Sequence, residues 1–139
     1  MHHDPDKMKI LIVDDEPDTV AFLTMLFEDN GYAVVSTTNP NRVLDLIREE
    51  SPDLVTLDLL MPNKTGVRVY RELRTHEYFA GLPVVVISGA NQGDYIPHNS
   101  NGNNSPVQAP DAFIEKPVDS FVLLETVRRL TTATAEKPL

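Results

Sequence analysis

Short apolar segments rich in β-branched residues recur along the chain and alternate with longer segments in which apolar residues stand three or four positions apart. Five of the short segments have the length of a β-strand, and they occupy residues 9–13, 33–37, 54–58, 83–88 and 112–115. Strands with almost continuous apolar runs are typical of parallel sheets that helices cover on both faces. The pattern therefore predicts an α/β protein built on a five-stranded parallel sheet.

Four of the longer segments have the spacing of amphipathic helices. They occupy residues 17–30, 40–50, 66–74 and 120–130. Pro17 suits the first turn of a helix, and a glycine such as Gly31 suits the position just after one. In each segment the apolar residues fall on one face, so we expect that face to pack against the sheet.

The segment between the fourth and fifth strands does not follow this scheme. Residues 91–110 include three prolines and two glycines, together with many asparagines. Proline removes a backbone hydrogen bond, and glycine has a low helix propensity. We therefore expect a long loop here, with the helix that would normally lead into the fifth strand missing or degenerate.

Both ends of the chain are expected to lie outside the folded domain, which would span residues 9–130. Residues 1–8 are mostly polar and include two adjacent histidines, as in a disordered extension or the remnant of a purification tag. Residues 131–139 have the composition of a tail or of the stump of a linker. A stand-alone protein and a domain excised from a longer one would look alike in this respect.

Composition excludes several classes of function. The 21 acidic and 12 basic residues give a formal charge of -9, which would repel a nucleic-acid backbone. The absence of cysteine excludes disulfides, thiolate metal sites and cysteine nucleophiles. No apolar run approaches the ~20 residues that a membrane-spanning helix needs. We therefore expect no direct nucleic-acid binding, no membrane association and a cytoplasmic location.

Residues that can carry chemistry stand where four of the predicted strands end. Asp14, Asp15 and Glu16 follow the first strand, Asp58 ends the third, Ser88 and Gly89 lie at the end of the fourth, and Lys116 and Pro117 follow the fifth. In an open parallel sheet, ligands bind beyond the carboxyl ends of the strands. These residues are therefore expected to meet at one edge of the sheet.

The chemistry of this set favours phosphoryl transfer. Carboxylates at one edge repel each other, and a hard cation such as Mg²⁺ is the usual way to neutralise them. Asp58 could act as a carboxylate nucleophile, with Lys116 and Ser88 as donors to phosphate oxygens. Each residue alone has an ordinary explanation, such as a helix cap for the two adjacent aspartates or a turn for Asp58. Their occurrence together, each at the end of a separate strand, favours the functional interpretation.

Four segments carry a resemblance to a known family. They are ILIVDDEP (residues 10–17), LVTLDLLMPNKTG (54–66), VVVISGA (84–90) and FIEKP (113–117). Together they resemble the receiver domain of bacterial two-component response regulators, close to the single-domain chemotaxis type, over residues 9–130. The resemblance implies a doubly wound, flavodoxin-like sheet with strand order 2-1-3-4-5 and helices on both faces.

The same resemblance implies roles for the acidic residues. Asp58 would be the phosphoacceptor. Asp14 and Asp15 would hold Mg²⁺ together with Asp58 and the backbone carbonyl of Leu60. The domain would then catalyse only its own phosphorylation and dephosphorylation, so it would not be an enzyme with a separate substrate.

The remaining roles concern the response to phosphorylation. Lys116 would contact the phosphoryl group, with a cis peptide bond to Pro117. Ser88 resembles the switch hydroxyl that turns toward that group, and Phe113 resembles the aromatic side chain that moves into the vacated space. A sensor histidine kinase or a phosphotransfer protein would be the donor, and an unknown partner or output domain would be the target. A homodimer is possible in this family, although the unusual segment at 91–110 removes the basis for assigning its face.

Other classes of protein fit the sequence less well. A haloacid-dehalogenase-type phosphatase would need a second aspartate two residues after the nucleophile, and Leu60 stands there. A flavodoxin-like flavin module would need a hydroxyl-rich phosphate loop where Asp14, Asp15 and Glu16 stand. A nucleotide-binding P-loop is excluded by its missing motif. A receiver-like interaction module that is never phosphorylated remains as the alternative.

Overall fold

A computed structural model describes residues 7–89 and 109–136 of the chain. Its centre is a five-stranded sheet formed by β1 (Lys9–Val13), β2 (Ala33–Thr37), β3 (Leu54–Leu57), β4 (Val84–Ser88) and β5 (Ala112–Glu115). All neighbouring strands are parallel, and their order is β2-β1-β3-β4-β5. The predicted sheet and its strand order are confirmed.

The described residues contain four α-helices. They are α1 (Pro17–Asp29), α2 (Val43–Glu50), α3 (Thr65–Thr75) and α4 (Ser120–Glu136). Short 3-10 turns at Pro40–Arg42 and Pro62–Lys64 lead into α2 and α3. No helix in the described ranges is both long and apolar enough to cross a bilayer.

The sheet has an apolar core on each face. Ile10 and Ile12 of β1 lie in the core that α1 and α4 cover, through residues such as Leu23 and Val127. The alternate β1 residues face the other core, which α2 and α3 cover through residues such as Ile47 and Leu73. Every residue of β1 is buried, as expected for a central parallel strand. Helices on both faces give the doubly wound architecture that the sequence predicts.

Element boundaries differ from the predicted ones by more than one residue in two places. The 3-10 turn takes the first residues of the segment predicted as the second helix, and the side chain of Asn39 caps this turn by accepting the N–H of Asn41 at 2.9 Å. Helix α4 continues to Glu136 instead of ending at 130, so the predicted tail begins too early. Thr131 is 3% exposed and its hydroxyl donates to the carbonyl of Val127 at 2.9 Å, which satisfies a side chain that would otherwise disfavour a helix.

The expectation of a long loop at 91–110 falls almost entirely outside the described residues. Only Ala109 and Pro110 of that segment are described, and they have no regular secondary structure. Most of the extension predicted at residues 1–8 lies outside them as well.

The hydroxyl of Thr56 generates a prediction about stability. Thr56 lies in β3, is 1% exposed, and its Oγ1 has no hydrogen-bond partner among the described residues. An unsatisfied buried hydroxyl is unfavourable, and valine has nearly the same shape without it. We expect Thr56→Val to raise the free energy of unfolding by about 1–2 kcal/mol in urea titrations.

Thr131→Val is the control for this measurement, because it removes a hydroxyl that does form a hydrogen bond. It should give no such gain. If Thr56→Val lowers the stability of the protein, the hydroxyl must be satisfied in solution, for example by a buried water molecule.

Candidate functional site

The carboxyl ends of β1, β3 and β5 bring three charged side chains together. The Lys116 ammonium Nζ lies 3.0 Å from Asp14 Oδ2 and 3.4 Å from Asp58 Oδ2. Asp14 and Asp58 are 2% and 3% exposed. Parallel pairing aligns these three strands, so residues 102 positions apart in the sequence form one site.

Glu16 joins this cluster, whereas Asp15 does not. Glu16 Oε1 lies 3.0 Å from Lys116 Nζ, and single oxygens of Asp14, Glu16 and Asp58 all lie within 4.8 Å of one another. The backbone N–H of Glu16 donates to Asp14 Oδ1 at 2.9 Å, which fixes the turn that follows β1. Asp15 instead lines the pocket beside the cluster.

Backbone hydrogen bonds hold the charged residues in place. The N–H of Leu60 donates to Asp58 Oδ1 at 2.9 Å, and the N–H of Asp58 donates to the carbonyl of Val13 at 3.0 Å. The N–H of Lys116 donates to the carbonyl of Ser88 at 3.0 Å. The peptide bond between Lys116 and Pro117 is cis, as the family resemblance implied.

The charges in the cluster shift one another's proton affinities. Burial raises the pKa of Asp14 above its ordinary value, and the hydrogen bonds from the Glu16 N–H and from Lys116 only partly oppose this. The hydrogen bond from Lys116 and its positive charge lower the pKa of Glu16. Burial disfavours the charged form of Lys116, but its bonds to Glu16 and Asp14 and the charge of Asp58 outweigh burial and raise its pKa. Lys116 therefore remains a cation at neutral pH.

An open pocket of about 280 Å³ lies over the cluster and gives access to Asp58. Asp15, Glu16, Asp58, Leu60, Gly89 and Lys116 line it. Gly89 contributes no side chain, so this wall of the pocket leaves room for a ligand beside Asp58. The pocket is large enough to accept a phosphoryl group together with water molecules.

Ser88 and Phe113 lie next to this site without lining the pocket. Ser88 is fully buried at the end of β4 and is paired in register with Glu115 of β5. Phe113 is partly buried and packs against the core between the sheet and the α2–α3 layer. The structure thus places both residues predicted to act in switching on adjacent strands.

Gly66, at the start of α3, lies directly beneath the segment that carries Asp58. A methyl group built on Gly66 would collide with the backbone carbonyl oxygen of Asp58 and would lie 2.6 Å from Cα of Leu59. Only glycine permits this close approach. In the sequence, Gly66 marks only a helix start and a family motif, because the contact that explains it depends on tertiary structure.

The oxygen donors at the pocket fit a hard divalent cation. Asp14 and Asp58 supply carboxylate oxygens close together, Asp15 lines the same pocket, and no described nitrogen or sulfur ligand intrudes except the ammonium of Lys116. Magnesium prefers such oxygen ligands and usually keeps several waters. The acidic cluster is therefore chemically suited to Mg²⁺.

Comparison with known proteins identifies the family. The model of the response regulator receiver domain matches residues 10–128, so the chain belongs to this family and is a receiver domain of two-component signalling. Protein PilH of Pseudomonas aeruginosa is 31% identical over 86% of this chain and 93% of its own length. The polar-differentiation response regulator DivK of Brucella anthropi is 28% identical over 86% of this chain and 92% of its own length.

Solved structures show the same fold. The signal receiver domain of a signal transduction histidine kinase from Syntrophus aciditrophicus superposes with a TM-score of 0.78 at 25% identity, over 94% of this chain and 95% of that one. The chemotaxis response regulator CheY4 of Vibrio cholerae gives a TM-score of 0.72 at 19% identity, over 89% of this chain and 98% of that one. The flavodoxin-like fold expected from the sequence is thus shared with known receiver domains.

Because Gly66 lies so close to Asp58, we expect one added methyl group at Gly66 to lower the stability of the protein. In Gly66→Ala the backbone at Asp58 and Leu59 must move, and overpacking of this kind costs about 1–3 kcal/mol of unfolding free energy. Gly81→Ala is the matched control, because a methyl group there meets nothing within 4 Å. Urea titration should show a clear loss for the first variant and little change for the second. Equal stabilities would contradict the packing described here.

The raised pKa of Asp14 predicts a pH-dependent gain in stability for Asp14→Asn. The folded protein binds a proton at Asp14 more tightly than the unfolded chain does, so the charged form lowers stability at neutral pH. We expect the variant to be more stable than the wild type at pH 7. This gain should shrink as the pH falls through the raised pKa and should vanish below the ordinary value of 3.8.

Urea titrations over a pH series, in the presence of EDTA, would measure this gain. Asp18→Asn is the control, since Asp18 is exposed in the first turn of α1 and should show no gain. A loss of stability in Asp14→Asn at pH 7 would mean that the hydrogen bonds to Asp14 outweigh the unfavourable burial of its charge.

Proposed function

We propose that this receiver domain accepts a phosphoryl group on Asp58 in a magnesium-dependent reaction and changes conformation in response. The observation that supports this proposal is the position of the Lys116 ammonium, in contact with the buried carboxylates of Asp58 and Asp14 at the floor of an open pocket. A nucleophilic carboxylate next to a fixed cation is what phosphoryl transfer requires.

The proposed reaction transfers the phosphoryl group from a phosphohistidine of a partner protein. A carboxylate oxygen of Asp58 attacks phosphorus, a P–O bond forms and the P–N bond breaks. The electron pair of the broken bond remains on the imidazole, which takes up a proton. Lys116 Nζ, 3.4 Å from Asp58 Oδ2, is close enough to pair with a phosphoryl oxygen bound to that carboxylate.

The residues that would hold Mg²⁺ are Asp14, Asp15, Asp58 and the backbone carbonyl of Leu60. When bound, the ion would neutralise charge on the carboxylates and on the transferring phosphoryl group. Leu60 contributes in a second way, because its N–H donates to Asp58 Oδ1 and fixes the rotation of the carboxylate. That bond leaves Oδ2, on the Lys116 side, less constrained.

The conformational response would involve Ser88 and Phe113. A new phosphoryl group on Asp58 adds negative charge beside the end of β4, where the hydroxyl of Ser88 could donate to it. Phe113 is only partly buried against the α2–α3 core, so space vacated by Ser88 could admit its ring. This switch would change the surface around β5 and thereby control a partner or output domain.

The proposal includes a donor and a target for the signal. The names of two relatives support this part of the proposal. CqsS of Vibrio cholerae is named a sensor kinase/phosphatase, which suits a donor, and MtrA of Mycolicibacterium smegmatis is named a DNA-binding response regulator, which suits an output domain as target. We propose a histidine kinase or phosphotransfer protein as donor and an output partner or domain as target, in the cytoplasm. The domain would catalyse only its own modification.

Intact mass after incubation with acetyl phosphate tests this function. We expect one phosphoryl addition to the wild-type protein with Mg²⁺, and none when EDTA removes the ion. Asp58→Ala should show no addition under either condition, because the nucleophile is gone. Asp45→Asn is the control: it removes an exposed carboxylate on α2 and should leave the addition unchanged.

Two other results would support a different function for this protein. No addition to the wild-type protein under any condition would favour an interaction module that works without phosphorylation. Steady turnover of phosphate esters, without a requirement for a protein donor, would favour a phosphatase.

A further inference from the structure

A buried arginine outside the pocket connects α3 to the start of β5. The side chain of Arg74 is 2% exposed, and its Nη2 donates to Asp111 Oδ2 at 2.7 Å. Its Nη1 donates to the carbonyls of Ala80 at 3.1 Å and Leu82 at 2.8 Å, and its Nε donates to the hydroxyl of Tyr70 at 3.3 Å. One guanidinium group therefore holds together α3, the connection to β4 and the residue before β5.

Asp111 also forms hydrogen bonds to the first residue of β4. Its Oδ2 also accepts the N–H of Val84 at 2.8 Å, and its own N–H donates to the carbonyl of Val84 at 3.0 Å. Asp111 thus pairs with both backbone groups of the first residue of β4. The regular pairing of β4 with β5 begins at the next pair, Val85 with Ala112.

The strand that follows Asp111, β5, has few other described contacts that fix its register against β4. β5 has four residues and lies at the edge of the sheet, so it pairs only with β4. A shift of one residue would exchange the faces of Phe113 and Ile114 and would move Lys116 by about 3.3 Å. The contacts of Lys116 with Asp14 and Asp58, at 3.0 and 3.4 Å, would not survive this displacement.

We propose that Arg74 and Asp111 are positioning residues that fix the register of β5, and that they thereby place Lys116 beside Asp58. Neither residue contacts the pocket, so they act through the strand between Asp111 and Lys116. This inference rests on the proposed function for its effect on phosphorylation, but the register itself can be measured independently.

A general contribution to stability does not explain this arrangement as well. A buried ion pair stabilises a fold little by itself, because removing two charges from water offsets their attraction. Here the carboxylate bonds to the backbone of β4, and the guanidinium bonds to the two carbonyls that precede β4. These contacts fix where one strand lies relative to its neighbour, which is what the reach of Lys116 requires.

Two variants and one control test the proposal. Asp111→Asn removes the charge that neutralises Arg74. Arg74→Lys keeps a charge, but its three donors stand on one nitrogen and cannot reproduce the four hydrogen bonds of the guanidinium. Lys9→Met is the control: it breaks a similar ion pair, Lys9 with Glu50 at 3.0 Å, with side chains 10% and 34% exposed, at the same amino-terminal end of the sheet but on β1 instead of beside β5. The Arg74–Asp111 pair has corresponding exposures of 2% and 34%.

Phosphorylation rates with acetyl phosphate would be compared at a temperature where circular dichroism shows every variant to be folded. We expect Asp111→Asn to react about 10- to 100-fold more slowly than the wild type, because a displaced catalytic group loses reactivity steeply. Arg74→Lys should show a smaller loss and provides the test if Asp111→Asn does not fold. Lys9→Met should react at the wild-type rate. Similar losses in all three variants would overturn the proposal in favour of a general effect of stability.

Amide hydrogen exchange separates this proposal from the proposed function. The N–H of Lys116 donates to the carbonyl of Ser88, so its exchange rate reports on the far end of β5. We expect faster exchange at Lys116 in Asp111→Asn than in Lys9→Met, whether or not the protein can be phosphorylated. Unchanged exchange at Lys116 would overturn the positioning role even if the wild-type protein is phosphorylated on Asp58.

Discussion

The attraction of the Lys116 ammonium to the carboxylates of Asp14 and Asp58 is the interaction on which the site depends. These two carboxylates are almost fully buried and lie close to each other, so they would repel strongly without a cation. The protein supplies that cation from β5, at the edge of the sheet, while the carboxylates follow the central strands β1 and β3. Any rearrangement of β5 must therefore change the electrostatic balance at Asp58, which couples the chemistry of the pocket to the outer surface of the fold.

The same arrangement is not the one that would make the fold most stable. Burial raises the pKa of Asp14, which means that its charge is unfavourable in the folded protein even with Lys116 nearby. An apolar cluster in this position would stabilise the fold better, as buried ion pairs seldom exceed well-packed apolar side chains. The proposed reaction would require the cluster to exchange partners: a divalent cation would bind the carboxylates, and the ammonium would turn to a phosphoryl oxygen. In the proposed reaction, each step replaces one neutralising contact with another, so the pocket never holds a large uncompensated charge.

Much of this could be predicted from the sequence, because a parallel sheet brings the ends of its strands together. The positions of Asp14, Asp58 and Lys116 followed from that rule alone. The pairing of Glu16 with Lys116 did not follow from that rule, because it depends on the turn in which the Glu16 N–H bonds to Asp14. The length of α4 was underestimated because residues 131–139 were interpreted from their composition as a tail, whereas the Thr131 hydroxyl bonds within the helix. The pair formed by Arg74 and Asp111, 37 positions apart, leaves no periodic pattern in the sequence.

The two ends of β5 have different roles, since one end is held by Asp111 and the other end carries Lys116. The strand is only four residues long, so the two roles lie close together. At one end Asp111 is fixed to β4 and α3, and at the other end Lys116 must be free to change its partners. Phe113 lies between them and packs only partly into the α2–α3 core, and the proposed switch would move its ring without breaking the pairing of the strand. If Asp111 were not held, a displacement of Phe113 could be absorbed by sliding of the whole strand. If Asp111 holds the strand as proposed, the strand cannot slide, and a change at Phe113 must appear either at the pocket or on the exposed face of β5.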